Sequence, residues 1–203
     1  MNDLLFDGPE GGPILVLAHG AGAPMDSPFM NTMAERLGAK GIRVVRFEFP
    51  YMQARREGKR KPPDREPALR ETWLSVIERL GGADRVVVGG KSMGGRIASL
   101  MADEAGARGL VCLGYPFHPP GKPERTRTAH LEHLRTPTLI VQGTRDPLGS
   151  REDVAGYRLA PGIRIVWLED GDHSFKPRVS SGRTERGNLE EAVAAVAGFV
   201  EGL

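Results

Sequence analysis

Three side chains in this sequence could together activate a hydroxyl group. They are Ser92 in "GGKSMGG", Asp146 in "QGTRDPLG" and His173 in "EDGDHSF". A serine hydroxyl is a poor nucleophile until a histidine takes its proton and a carboxylate holds that histidine in the right tautomer. Serine, then acid, then histidine is one chain order in which such sets occur. Each member also has an ordinary reading: Ser92 as a helix cap on a glycine-rich turn, Asp146 as a turn former before proline, and His173 as a solvated loop residue. Asp170 and Asp172 are rival acids, but they flank His173 too closely to approach its ring from the far side.

The stretch "RVVVGGKSMGGR" (85–96) admits two incompatible chemistries. A phosphate-binding loop of the form G-x-x-x-x-G-K-[ST] requires its first glycine at position 85. That position is arginine, and the three valines at 86–88 belong to a strand, so no loop remains to wrap phosphates. The alternative is G-x-S-x-G, met by Gly90-Lys91-Ser92-Met93-Gly94. Residues two before and two after the serine then approach closely, which only small side chains allow. The turn lifts the hydroxyl to a helix N-terminus, where N–H groups and the macrodipole favour a developing oxyanion. "LVLAHGAGAPMDS" (15–27) ends a strand in a small-residue loop that can supply a second donor. The expected oxyanion hole pairs the N–H of Met93 with that of Ala21, while His19 shapes the loop by hydrogen bonding.

The remaining reactive residues read more plainly. His118, His130 and His133 fall in the irregular 115–137 stretch and are read as surface or pocket-wall residues. Cys112, the one cysteine, lies in the apolar run "GLVCLGYP" and reads as a buried strand residue, with no internal disulfide open to it. Tyr51, Tyr115, Phe117 and Met93 are candidates for pocket walls. "RREGKRKPPDRE" carries Arg55, Arg56, Lys59, Arg60, Lys61 and Arg65, and reads as a solvated loop that could also draw an acidic substrate to the rim.

The elements that must position these groups alternate. Near-continuous apolar runs at 13–20, 42–50, 85–90, 109–116, 136–143 and 163–170 read as strands covered on both faces, with an edge strand at 4–8. Segments of helical period lie at 27–41, 66–82, 92–106 and 188–203, the last starting with Asn188 as N-cap. The pattern predicts one α/β domain over 1–203, with a mainly parallel, doubly wound sheet. Two stretches, 50–66 and 115–137, read as irregular, the second with a short helix. Both follow strands and so sit on the carboxyl-end rim, where open α/β sheets bind ligands.

Composition narrows the classes. The 203 residues are 39% hydrophobic and 27% charged, with a net charge of +2, which gives no argument for nucleic acid or membrane binding. "MNDLLFDGPEGG" has no basic, apolar leader pattern and no window has the length of a membrane span, so a cytoplasmic protein is expected. No cofactor or metal motif is present, and the sequence leaves the oligomeric state open.

Taken jointly, "HGAGA", "GGKSMGG", "GYPFHPPGKPE", "QGTRDPLG" and "DGDHSF" resemble the α/β-hydrolase superfamily. The similarity is to its dienelactone-hydrolase-like branch, which includes a testis-expressed protein and a subunit of the NSL histone acetyltransferase complex. The resemblance runs from about residue 10 to the C-terminus. It implies strand order 2-1-3-4-5-6 for the six main runs, no large cap domain, Ser92 as nucleophile, His173 as general acid/base and Asp146 as orienting acid. The activity it implies is hydrolysis of an ester, thioester or similar small acyl substrate. The alternative is a non-catalytic interaction module of the same fold within a larger complex.

Overall fold

Alternation along the strands sorts the apolar side chains onto two faces. In β2 (Ile14–Ala18), Val16 and Ala18 point to one side of the sheet and Leu15 and Leu17 to the other. In β4 (Val86–Lys91), Val86 and Val88 oppose Val87, and in β5 (Gly109–Leu113), Leu110 and Cys112 oppose Val111 and Leu113. Each face therefore needs its own cover of helices. α3 (Glu66–Arg79) and α4 (Met93–Ala105) bury Leu69, Trp73, Val76, Ile97 and Met101 against the first face. α1 (Pro28–Gly38) and α6 (Glu185–Glu201) bury Met30, Met33, Leu37, Ala192 and Val196 against the second. Burying a large aliphatic side chain contributes about 1.5–3 kcal/mol, so the two cores are the main source of stability.

The computed structural model describes residues 3–203; Met1 and Asn2, the start of the segment read for a leader, lie outside the described residues. The remaining elements are β1 (Leu5–Asp7), β3 (Arg43–Phe47), α2 (Pro50–Arg56), β6 (Thr138–Gly143), α5 (Arg151–Ala155) and β7 (Ile163–Leu168). They complete a seven-stranded sheet of order β1-β3-β2-β4-β5-β6-β7. β1 is the edge strand, antiparallel to β3, and every other pair is parallel. Without β1 the order is 2-1-3-4-5-6, as the resemblance implies, and among the described residues no cap domain covers the rim. Among the described residues no helix is long and apolar enough to cross a membrane.

Two local readings need correction. The 50–66 stretch is not wholly irregular, because Pro50 opens the seven-residue helix α2, which ends on Arg55 and Arg56. Proline at the first helical position and basic residues in the last turn both favour that helix, and Asp64 accepts the Tyr51 N–H at 2.8 Å. Asn188 is not an N-cap. α6 starts earlier, where the Thr184 hydroxyl accepts the Gly187 N–H at 3.0 Å. Asn188 is instead a fully buried residue within the helix. The 115–137 stretch does carry a short helical turn, a 3-10 turn at Ala129–Glu132.

Candidate active site

β4 lies at the middle of the sheet, and its carboxyl end is where the chain must reverse into α4. Ser92 makes that turn with φ 52 and ψ −116, a left-handed conformation unusual for a residue with a side chain and costing on the order of 1–3 kcal/mol. Two backbone bonds hold it: Ser92 N–H donates to Leu113 O at 3.0 Å, and Ser92 O accepts the Arg96 N–H at 3.0 Å. A Cβ at Gly90 would lie 2.5 Å from Ala18 O and 2.8 Å from the Gly94 carbonyl carbon, and one at Gly94 would lie 2.6 Å from His19 O. Gly90 is thus required by the facing arm of the turn and by the end of β2, and Gly94 by the end of β2. As the first residue of α4, Met93 has an N–H without an intrahelical acceptor, at the positive end of the helix dipole.

Asp146 follows β6 and His173 follows β7, neighbouring strands whose loops are joined by Thr144 N–H to Leu168 O at 3.0 Å and Arg145 N–H to Gly171 O at 2.9 Å. His173 Nδ1 is 2.7 Å from Asp146 Oδ2, and His173 Nε2 is 2.9 Å from Ser92 Oγ. The structure therefore brings the three side chains into one hydrogen-bonded row. Asp146 is fully buried, while the imidazole is a quarter exposed and can be reached from the rim. Because a carboxylate only accepts, the proton sits on Nδ1 and leaves Nε2 to accept from the serine hydroxyl. The Asp146 carboxylate also accepts from Leu148 N–H at 2.8 Å and from Gln142 Nε2 at 2.9 Å.

Gln142 is a residue the sequence reading missed. It is fully buried in β6, its Oε1 accepts the Tyr115 N–H at 2.7 Å, and its amide donates to Asp146, Tyr115 O and Gly149 O. A lone amide in the apolar run "TLIVQG" was the available signal, since a buried polar side chain must find partners.

The rival acids are committed elsewhere. Asp170 is bound by Arg178 and Arg145; the hydrogen bond from Arg178 holds its carboxyl down at about 2. Asp172 Oδ1 accepts the Ser174 and Lys176 N–H groups and so closes the turn that carries His173. Below this loop the Asn188 amide donates to Phe175 O at 2.8 Å and Glu169 O at 3.3 Å.

The loop after β2 is fixed from behind. His19 Nε2 accepts the Phe49 N–H at 3.1 Å, which puts the ring proton on Nδ1, 2.7 Å from Gly20 O. Burial lowers the His19 pKa and keeps the ring neutral. Tyr51 Oη donates to Gly20 O and Ala21 O, and Arg55 donates to Ala21 O at 3.2 Å. In a trans peptide the N–H points away from the preceding carbonyl, so anchoring Gly20 O turns the Ala21 N–H away from His19 and Tyr51. Gly20 itself packs against the elbow: a Cβ there would lie 3.7 Å from Ser92 Cβ.

Other expected site residues take structural places. Tyr51, Tyr115 and Phe117 are fully buried in the core on the first face of the sheet, Tyr51 beside His19 and Phe49 and Tyr115 edge-on to Phe117; Met93 is half-buried. His118 is buried against Pro119 O, not at the surface, and His130 pairs with Ser99 Oγ at 2.8 Å, its pKa pushed down to about 4 by burial and then by Arg96. His133 is exposed. Cys112 is a buried strand residue whose thiol pKa burial pushes up. In the basic segment, Arg56 pairs with Glu48 and Asp26, Lys59 with Glu57, and Lys61 with Asp64. A recess of about 640 Å³ between α3 and α4 contains none of Ser92, Asp146 or His173.

Comparison with known proteins agrees with this architecture. A serine hydrolase without lid from Xanthomonas campestris superposes with a TM-score of 0.72 at 20% identity, covering 98% of this chain and 88% of its own. A dienelactone hydrolase from Anabaena variabilis gives 0.70 at 22% identity, covering 98% and 90%. The Rattus norvegicus protein named "Putative protein-lysine deacylase ABHD14B" is 29% identical over 140 residues, which is 68% of this chain; the matched stretch spans 63% of that relative's length. The alpha/beta hydrolase domain family matches residues 12–201, nearly the whole sequence, and the chain belongs to that family.

Proposed function

We propose that this protein is a serine hydrolase that cleaves small acyl substrates through an acyl-enzyme on Ser92. The observation that carries the reading is the row Ser92 Oγ–His173 Nε2–Asp146, with spacings of 2.9 and 2.7 Å. His173 takes the serine proton as Ser92 Oγ attacks the carbonyl carbon. The tetrahedral oxyanion is received by the N–H groups of Met93 and Ala21. His173 then returns the proton to the leaving group, and the acyl-enzyme forms. Water, deprotonated by the same imidazole, attacks the acyl carbon and releases the acid, and Ser92 recovers its proton. Asp146 holds the ring and stabilises the imidazolium formed in both halves of the cycle. Each residue comes from a different strand end, so the sheet fixes the geometry before substrate arrives.

The acyl class is an ester or thioester, with acylated lysine side chains added by the likeness to the rat relative. The partner is then a small acyl molecule or an acyl group projecting from a surface, which the uncovered rim admits; no nucleic acid or membrane takes part. A cytoplasmic setting accords with a single buried cysteine. The quoted motifs support placing the protein in the branch with the testis-expressed and NSL-complex proteins. A panel of p-nitrophenyl esters of graded chain length, run beside an acetyl-lysine peptide, tests turnover and acyl preference together. Hydrolysis that disappears in Ser92→Ala supports the reading; a folded protein inert toward every member, and holding a stable partner instead, favours an interaction module.

A further inference from the structure

We propose that Lys91, the variable residue of the elbow, is a positioning residue that holds His173 against Ser92. Its Nζ donates to the His173 main-chain carbonyl at 2.6 Å. Lys91 is covalently joined to Ser92, and His173 Nε2 reaches Ser92 Oγ at 2.9 Å. The three residues therefore close a ring in which nucleophile and base are tied through backbone as well as side chain. No other described contact links the elbow directly to the backbone of His173.

The surroundings are built for that contact. The ammonium lies 5.5 Å from the Phe29 ring centroid and 5.9 Å from that of Phe175, within the range in which aromatic faces attract a cation. Gly114, at φ 66, leaves the space open: a Cβ there would lie 2.8 Å from Lys91 Nζ and 2.9 Å from His173 O. The loop that Lys91 grips needs holding, since Asp170 and Phe175 on either side of His173 both have positive φ. Such conformations persist only where their surroundings over-determine them. Asn188 fixes this loop from the α6 side and Asp172 closes its turn, whereas Lys91 holds the carbonyl of His173 itself.

The charged groups acting on Lys91 are Asp146 and Asp172, which favour the ammonium; burial opposes it and prevails, bringing its pKa down to about 8. Phe29, Phe175 and Gly114 carry no charge. Raising the pH through about 8 thus removes the charge that strengthens this hydrogen bond.

The kinetic half of the test rests on the hydrolase reading; the spectroscopic half does not. Lys91→Met keeps the length and packing of the side chain and removes the donor. The expected result on a p-nitrophenyl ester is a fall in kcat of about 10- to 100-fold, the scale of a misplaced catalytic group, with KM nearly unchanged. Proton NMR reads the position of His173 without turnover, through the low-field resonance of the Nδ1 proton shared with Asp146. That resonance is expected in wild type and lost to exchange in Lys91→Met. Lys91→Cys alkylated with 2-bromoethylamine restores an ammonium at nearly the same reach, and is expected to recover both kcat and the resonance. The alkylation is done on unfolded protein that also carries Cys112→Ala, so that the introduced thiol is the one that reacts, and the product is then refolded. A Lys91→Met protein with wild-type kcat and an intact resonance, or an alkylated variant no better than its parent, overturns the proposal. If wild type hydrolyses nothing while the resonance follows the ammonium as described, the hydrolase reading fails and the positioning role stands.

Discussion

Gln142 Nε2 donates to Asp146 Oδ2 at 2.9 Å, so the buried acid of the row is held by a neutral amide from the strand beneath it. The same amide group closes the backbone of Tyr115 and Gly149. Gln142→Met removes these bonds at nearly constant volume and leaves buried polar groups unpaired. The expected loss is about 1–3 kcal/mol of stability, measured by urea unfolding, with a lower kcat because Asp146 is freed to rotate. Unchanged stability would mean that the network relaxes onto other donors.

Asp146→Asn preserves the shape of the site but puts an amide where a carboxylate accepts the His173 Nδ1 proton. The imidazole then favours the other tautomer, with Nε2 protonated and unable to accept from Ser92. Turnover is expected to fall by about 10⁴-fold, as when the acid is so replaced in a Ser-His-Asp enzyme. Comparing kcat of folded variant and wild type checks this, and a fall of only a few-fold would assign the orienting role elsewhere.

Tyr51→Phe tests the wall behind the oxyanion loop. The ring stays in the core, and only the hydroxyl bonded to Gly20 O and Ala21 O is lost. Losing a hydrogen bond of about 1 kcal/mol predicts a fall in kcat of about fivefold with KM unchanged, because on the proposed mechanism the Ala21 N–H acts in the transition state and not in substrate binding. A change confined to KM would count against an oxyanion role for this loop.

Acid stability reports on the loop of His173. Asp170 titrates at about 2 in the folded protein against an ordinary value of 3.8, chiefly through its hydrogen bond from Arg178. A depressed folded value means that the unfolded chain binds more protons in this window. The stabilisation is therefore complete above the ordinary value and is lost as pH falls through about 2. Urea unfolding is expected to show wild type weakening more steeply than Asp170→Asn between those two values. Equal slopes would show that the Arg178 contact does not persist in solution.

The sequence announced the scaffold because strand and helix each leave a local mark. Val86–Val88 flanked by Gly89 and Gly90 could only enter a sheet, and Pro28 and Gly41 bracket α1 at both ends. Ser92, Asp146 and His173 were legible as a set because each lies just beyond an apolar run. What stayed hidden depends on partners distant in sequence. Asn188 looks like a cap until the loop carbonyls of Glu169 and Phe175 are seen above it. Tyr51 and Gln142 acquire their roles from backbone groups brought near only by folding. Lys91 reads as an arbitrary residue of the elbow motif, and nothing local shows that its ammonium reaches across to His173.

The central claim is that Ser92 is an activated nucleophile. Reaction of the folded protein with a fluorophosphonate probe, followed by peptide mass spectrometry, tests it directly. The hydrolase reading predicts one adduct, on Ser92, formed in wild type and lost in Ser92→Ala, and formed far more slowly in His173→Ala. A folded wild-type protein that takes no label, or takes it on another serine, contradicts the claim.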